Sequence, residues 1–506
     1  MKYISTRNKS IKVSSAQAIV SGLAKDGGLF VPEEFPKLTK QDFDELIEMS
    51  YPERVAKVLS LYLDDYSYDE LLDYAKQAYS RFYGEDPCPL VNIDEGLYVL
   101  ELWHGPTCAF KDMALTMLPH LLSAARKKTG ENAKTLILVA TSGDTGKAAL
   151  EGFRDVEGTD IMVFYPSDGV SDMQKLQMMT QSGANVYVCA IEGNFDDAQS
   201  AVKRIFADPV MNDKLLVNGY KLSSANSINW GRLAPQIAYY VSSYCDMISS
   251  GAIKYGDKVN FCVPSGNFGN ILAGYYASLM GVGVNKLICA SNVNNVLTDF
   301  FISGEYDTQR EFFKTMSPSM DILISSNLER LLFEFSGRND ELIAQRMKDL
   351  KEKGKYSISK QELAELNKIF VAGYASEGDT AEVISNCYDT YDYLMDTHTA
   401  VAMSVYDDYF DYDGKGDETP TVIVSTANAY KFPCDVYGAL TEENISDAQK
   451  ATKKLNAYTG EDVPEPLSDL DSREIRFTKV IAKENIKDEV LEYTGKDNAD
   501  NFGKTK

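Results

Sequence analysis

From Thr135 onward the chain alternates short apolar runs with helical segments, and the joints between them are polar and rich in glycine. Thr135–Ala140 (TLILVA) reads as a strand, Thr141–Gly146 (TSGDTG) as a loop and residues 147–154 as a helix. Strand Ile161–Tyr165, helix Ser171–Ser182, strand Asn185–Ile191 and helix Asp196–Asp208 follow. A second block repeats the pattern: a helix over 231–250, a strand over 258–263, a helix over 270–281 and a strand over 286–290. Short strands without polar alternation, separated by helices, predict parallel sheets covered on both faces. The fold class is therefore α/β, with two doubly wound lobes.

The flanks differ. Residues 1–90 carry apolar positions at helical spacing and form a mainly helical N-terminal part. Asp112 to Lys127 reads as one helix. Residues 335–418 are rich in charge and tyrosine, with helices expected at 340–353 and 360–372, and Thr421–Val424 returns to strand character. The tail beyond about 465 is charged, and Asp497–Lys506 has little to pack. Between Phe261 and Asn285 there is no charged residue, long enough to cross a bilayer. Pro264, Ser265, Asn267, Asn270 and five glycines interrupt it, so it reads as strand, polar loop and buried helix.

Charge and rare residues exclude several functions. The net charge of −24 argues against nucleic-acid or anionic-membrane partners, which select basic surfaces. No two of the eight cysteines lie within four residues of each other, so there is no CxxC pair. Three histidines form neither HExxH nor a cluster, which disfavours a zinc hydrolase. MKYISTRNKS has no apolar signal core, and the expected compartment is the reducing cytoplasm.

Five places can carry chemistry, each with a plainer reading beside it. Ser265-Gly266-Asn267-Phe268-Gly269-Asn270 follows a strand and opens a helix, where N–H groups without helical partners form an anion site. A strand-to-helix turn with glycine and asparagine is the plain alternative. Thr141–Gly146 occupies the same kind of joint and can hold a carboxylate or phosphate, or simply cap a helix. Lys147 invites comparison with a P-loop, but Thr141 stands at its first glycine position and Ala148 follows the lysine. Lys111, after Cys108-Ala109-Phe110, is either a desolvated amine nucleophile or an ordinary surface lysine. Arg232, in Asn226-Ser227-Ile228-Asn229-Trp230-Gly231-Arg232, is a phosphate ligand or a surface residue of a capped helix. Ser425-Thr426-Ala427-Asn428 lies at the carboxyl end of a strand, where open α/β sheets gather ligands. Together, a lysine and a phosphate cradle are the minimal equipment for pyridoxal phosphate.

At this point the chain resembles the threonine synthases. The resemblance rests on MKYISTRN, GLAKDGGLFVPEEFP, ELWHGPTCAFKD, ATSGDTGKAA, FYPSDGVSDMQKLQM, SANSINWGRLAPQ, PSGNFGN and STANAYKFP, in order to about residue 440. It departs where Asn428-Ala429-Tyr430 replaces His-Pro-Ala and where Thr397 replaces a proline before His398. The resemblance implies the tryptophan synthase β-like fold with pyridoxal phosphate between the lobes. It implies an N-terminal domain over 1–92, a large lobe over 93–118 and 220–465 with a helical insertion near 330–418, a small lobe over 119–219 and a C-terminal segment over 466–506. The family's Schiff-base lysine falls on Lys111 and its cofactor-phosphate loop on Gly266, Asn267, Phe268, Gly269 and Asn270. The hydroxyl toward the pyridine nitrogen falls on Thr426. The loop that grips the substrate carboxylate falls on Thr141, Ser142, Asp144 and Thr145, with Asp144 also toward the cofactor. Asn226, Ser227 and Arg232 match the substrate-phosphate site. The implied reaction converts O-phospho-L-homoserine and water to L-threonine and phosphate, in a monomer or homodimer. The competing readings are a threonine or serine dehydratase of the same fold and a non-catalytic binder of phosphorylated metabolites.

Overall fold

Two sheets organise the chain. The computed structural model describes residues 1–502 except 142, 168, 169 and 171. The larger sheet has six strands in the spatial order Phe370–Tyr374, Val284–Ser291, Val259–Pro264, Thr421–Ser425, Leu97–Glu101 and Leu90–Asp94. All neighbours run parallel except the last pair. Val259–Pro264 and Thr421–Ser425 are buried at every position, which is why they read as unbroken apolar runs. The smaller sheet has five parallel strands in the order Val480–Ala482, Val186–Glu192, Thr159–Pro166, Lys134–Ala140 and Tyr220–Ser223.

The N-terminal part combines an antiparallel three-stranded sheet (Tyr3–Ser5, Asn8–Val13, Phe30–Pro32) with four helices, Ser15–Ser21, Lys40–Ile47, Tyr51–Tyr62 and Tyr68–Tyr79. Ser14, Thr39, Ser50 and Ser67 each start a helix with a capping box, a pattern of hydroxyl followed three residues later by Gln, Asp or Glu. This part is bound to the rest through Trp230, which is fully buried among the rings of Tyr3, Tyr62 and Tyr276. Trp230 opens the 20-residue helix Trp230–Ser249.

Local expectations shift in four places. The helix read over Asp112–Lys127 is two, Asp112–Leu115 and Leu118–Thr129, because Pro119 belongs in a first turn, where its missing N–H costs nothing. The helix read over 360–372 stops at Leu366, and Phe370–Tyr374 becomes the edge strand of the larger sheet. Tyr220–Ser223, read as the start of the large lobe, pairs with Lys134–Ala140 in the smaller sheet. The charged tail supplies the strand Val480–Ala482 and a helix from Ile486, whose Ile486 and Val490 are buried against the same sheet. Strands of three or four residues flanked by charge leave almost no periodic trace in a sequence.

The tyrosine-rich region holds the helices Glu377–Tyr391 and Thr397–Asp408, the second buried from Thr397 to Val405 against the larger sheet. The uncharged stretch resolves into the strand Val259–Pro264, the helix Gly269–Met280 and the start of Val284–Ser291. Among the described residues no helix is long and apolar enough to cross a membrane.

Candidate active site

The carboxyl ends of the central strands meet at Lys111. Its segment is fixed from both sides. Thr107 donates from its N–H (2.8 Å) and its hydroxyl (2.7 Å) to the fully buried Asp112, which closes the turn before the lysine. Burial pushes the Asp112 carboxyl up to about 6, against the pull of those bonds. The Phe110 N–H donates to Thr426 O (2.8 Å) and the Asn428 N–H to Cys108 O (3.1 Å), with a bridge between Ala109 and Ala427. Lys111 and Thr426 are thereby brought together by backbone.

The Lys111 side chain is only 10 % exposed. Its Nζ donates to Ser319 Oγ (3.2 Å) and lies 3.9 Å from Asp144 Oδ2, over the Phe110 ring. Burial pulls this amine down to about 8; Asp144 opposes the shift, and the positive charges of Arg232 and Lys431 reinforce it.

Asp144 is the first residue of the helix Asp144–Phe153. Its Oδ1 accepts from Gln174 Nε2 (3.0 Å) and lies 3.0 Å from Lys431 Nζ. Burial alone would raise this carboxyl, but Lys431 and Lys111 overcome it and hold it well below the usual carboxylate range. Lys431 is itself buried, and its second bond runs to Thr107 O (2.6 Å).

The loop Gly266–Asn270 joins the strand Val259–Pro264 to the helix Gly269–Met280. None of its five N–H groups donates to an acceptor among the described residues. Phe268 sits at φ +61°, a left-handed conformation that non-glycine residues adopt at a cost. Asn270 Oδ1 accepts from Tyr239 (2.7 Å) and Tyr240 (2.8 Å), while its buried Nδ2 has no partner among the described residues. Asn327 ties the loop down, its Nδ2 donating to Asn267 O and Ser227 Oγ, both at 3.0 Å. A Cβ on Gly266 would stand 3.1 Å from Ser319 O, so the residue that touches Lys111 also packs on this loop.

Arg232 is buried, and burial pulls its guanidinium down to about 10. Nη1 donates to Ala225 O (2.6 Å), but no carboxylate pairs with it among the described residues. Asn226 is exposed and Ser227 half-buried at the same helix entry. Thr145 is half-buried; Thr141 is buried, and its Oγ1 accepts from the N–H groups of Gly143 (3.0 Å) and Gly146 (2.9 Å). Ser142 lies outside the described residues. Lys147 is buried and donates to Gln181 (2.5 Å).

Three residues of this site escaped the sequence reading as site residues. Ser319 lies in the short turn Pro318–Met320, within a long irregular segment. His398 Nε2 accepts the Ser319 N–H at 3.1 Å, and His398 Nδ1 faces Asp396 Oδ2 at 2.7 Å. With Nε2 accepting, Nδ1 is the atom that faces the buried Asp396 carboxylate, which orients the ring. Lys431 is the third; only the charge of Asp144 would have hinted at a partner.

An amine with a depressed pKa, five unspent N–H groups at one helix start and the nearly buried hydroxyl-bearing Thr426 fit pyridoxal phosphate. Comparison with known proteins agrees. Residues 82–426 match the family described as pyridoxal-phosphate dependent enzyme, residues 2–79 the threonine synthase N terminus and residues 399–490 the threonine synthase C-terminal family. The threonine synthase of Pseudomonas aeruginosa is 36 % identical over 485 residues, covering 94 % of this chain and 95 % of that one. The chain belongs to the threonine synthase family. The crystal structure of threonine synthase from Brucella melitensis with pyridoxal phosphate bound superposes with a TM-score of 0.87, at 36 % identity over 98 % of both chains. Human threonine synthase-like 1 is 40 % identical over 447 residues, and this chain spans 59 % of its length. As a threonine synthase family member, the chain has pyridoxal phosphate as its cofactor.

Proposed function

We propose that the chain converts O-phospho-L-homoserine and water into L-threonine and phosphate. Arg232 carries this reading. A lyase that needs only its cofactor requires one phosphate cradle, which the Gly266–Asn270 loop supplies. Arg232 is a second, buried cation that no carboxylate neutralises among the described residues, beside Asn226 and Ser227. Burying an unpaired charge is costly, and a substrate phosphate is a ligand that offsets that cost.

Pyridoxal phosphate, when bound, supplies an electron sink for charge that develops at the substrate α-carbon. The N–H groups of residues 266–270 would hold its phosphate, and Thr426 would offer a neutral hydroxyl to its ring nitrogen. The loop shaped by Thr141, with Ser142, Asp144 and Thr145, receives the substrate carboxylate. Thr141 acts through that loop, since its own hydroxyl is taken by Gly143 and Gly146. Lys111, an amine lowered to about 8 by burial, takes the proton from the α-carbon and moves protons at the β-carbon. Ser319 and Asp144 fix its Nζ between them. Arg232, Asn226 and Ser227 hold the γ-phosphate, and the departed phosphate, still bound to Arg232 and Asn226, assists a proton transfer.

The test sets phosphate release from O-phospho-L-homoserine against ammonia release from L-threonine. Phosphate release with matching threonine formation is the expected result. Ammonia release alone would make the chain a dehydratase. Neither product, with no cofactor absorbance, would make it a non-catalytic binder.

A further inference from the structure

Asp144 stands between two lysines, and the two contacts are unequal. Lys431 Nζ is 3.0 Å from its Oδ1, whereas Lys111 Nζ is 3.9 Å from its Oδ2. Lys431 is the more deeply enclosed, with a side chain 1 % exposed against 10 % for Lys111. It reaches the site from the turn Ala429–Lys431, just past Thr426, and its other bond goes to Thr107 O, four residues before Lys111. We propose that Lys431 is a positioning residue of this site: its buried ammonium engages the Asp144 carboxylate, so that the Lys111 amine is left available as nucleophile and proton carrier.

The argument is one of charge balance. A lone buried carboxylate beside a lone buried amine drives the amine toward its charged, hydrogen-bonded form, which is neither nucleophile nor base. A second ammonium on the same carboxylate removes that drive. Asp144 then keeps a partner in Lys431, and Lys111 adds or loses its proton without leaving Asp144 unpaired. The charged groups facing Lys111 are Asp144 from the helix Asp144–Phe153, Arg232 from the helix Trp230–Ser249, Lys431 from its turn and Asp112 from its own helix. Arg232 and Lys431 favour the neutral amine; Asp144 and Asp112 favour the charged one. Of the two cations, only Lys431 is bonded to the anion that opposes it. Lys431 also ties Asp144, on the small lobe, to the Thr107–Lys111 turn, on the large one, so its loss would loosen the approach of the two.

This inference rests on Lys111 being the reacting amine, and it is tested without substrate or turnover. The full-length protein, freed of cofactor, is labelled with acetic anhydride across a pH series, and acetylation of Lys111 is read by mass spectrometry. In the parent the labelling midpoint should lie near 8. In Lys431→Gln it should rise by about one pH unit, roughly a tenfold loss of free amine at neutral pH; Lys431→Arg, which keeps the charge, should stay close to the parent. An unshifted midpoint in folded Lys431→Gln overturns the proposal. If that variant does not fold, Lys431→Met, which removes the charge but keeps the length of the side chain, carries the same test: its midpoint should rise by about one pH unit, and an unshifted midpoint overturns the proposal. A chain inactive on O-phospho-L-homoserine would still return a clear answer, so failure here and failure of the proposed function are separable.

Discussion

The backbone N–H of Ser319 donates to Nε2 of His398 at 3.1 Å, and the hydroxyl of the same serine accepts from Lys111 Nζ at 3.2 Å. A histidine from the helix Thr397–Asp408 thus places the group that aims the lysine. His398→Ala should leave the Ser319 N–H and Asp396 short of a partner. The expected cost is about 1–3 kcal/mol in stability and roughly tenfold in kcat/KM, with the cofactor still bound. Denaturant unfolding and steady-state kinetics on the same preparation check both. Unchanged kcat/KM would mean Ser319 is held by its own turn.

Lys111→Ala should abolish turnover, by more than about 10⁴-fold, since catalytic groups that act as a unit fail together. The fold should survive, because the substitution removes a desolvated amine and leaves Asp144 paired with Lys431. Phosphate release and a thermal melt separate the two effects. A variant that does not accumulate as folded protein would make Lys111 structural.

Arg232→Met should trade function for stability. Among the described residues its buried guanidinium has one bond, to a carbonyl, and no carboxylate partner, so an apolar replacement of similar length should leave Tm unchanged or higher. Loss of a charge-assisted phosphate contact of about 3 kcal/mol should lower kcat/KM about a hundredfold. Retention of full turnover would count against both the phosphate site and the assisted proton transfer.

Gly152→Ala probes the seam between the helices bearing Lys111 and Asp144. A Cβ there would stand 2.0 Å from Leu115 O, on the short helix Asp112–Leu115. Backbone cannot yield as a side chain can, so the helices must part. A loss of about 3 kcal/mol or more is expected, with activity reduced further because Asp144 recedes from Lys111. Chemical denaturation read beside the kinetics checks this.

Recapture of pyridoxal phosphate by the cofactor-free protein should depend on pH in one direction. Folding lowers the Lys111 amine from 10.5 to about 8, so the free amine grows as pH rises through 8 and saturates above it. The capture rate should climb across that interval and level off, followed by visible absorbance. A rate still rising near pH 10 would mean the amine is not depressed.

How much of this was readable in advance follows from where each residue lies. The loops Thr141–Gly146 and Gly266–Asn270 sit between a long apolar strand and a helix, and their glycines and hydroxyls read as candidate anion sites or as plain capped turns without tertiary information. Lys111 is singled out only by the family resemblance, because its depressed amine depends on burial that only folding creates. Ser319 was not legible: it lies in an irregular stretch that reaches the site because Asn292 and Asn294 hydrogen-bond to Asp321, and Asn292 also to Thr315 and Ser317. Lys431 looks like any lysine until the fold sets it against Asp144. The edge strands Phe370–Tyr374 and Val480–Ala482 were hidden by their shortness and by charged neighbours, since their pairing partners lie tens to hundreds of residues away.

The claim on which the rest depends is that Lys111 is the reacting amine. Borohydride reduction of the protein with pyridoxal phosphate bound, followed by peptide mapping, tests it most directly, because Lys147 and Lys431 are also buried lysines of this region. The account predicts one pyridoxyl-modified lysine, at position 111. Modification at Lys431 or Lys147, or no modification in a folded protein, would contradict it.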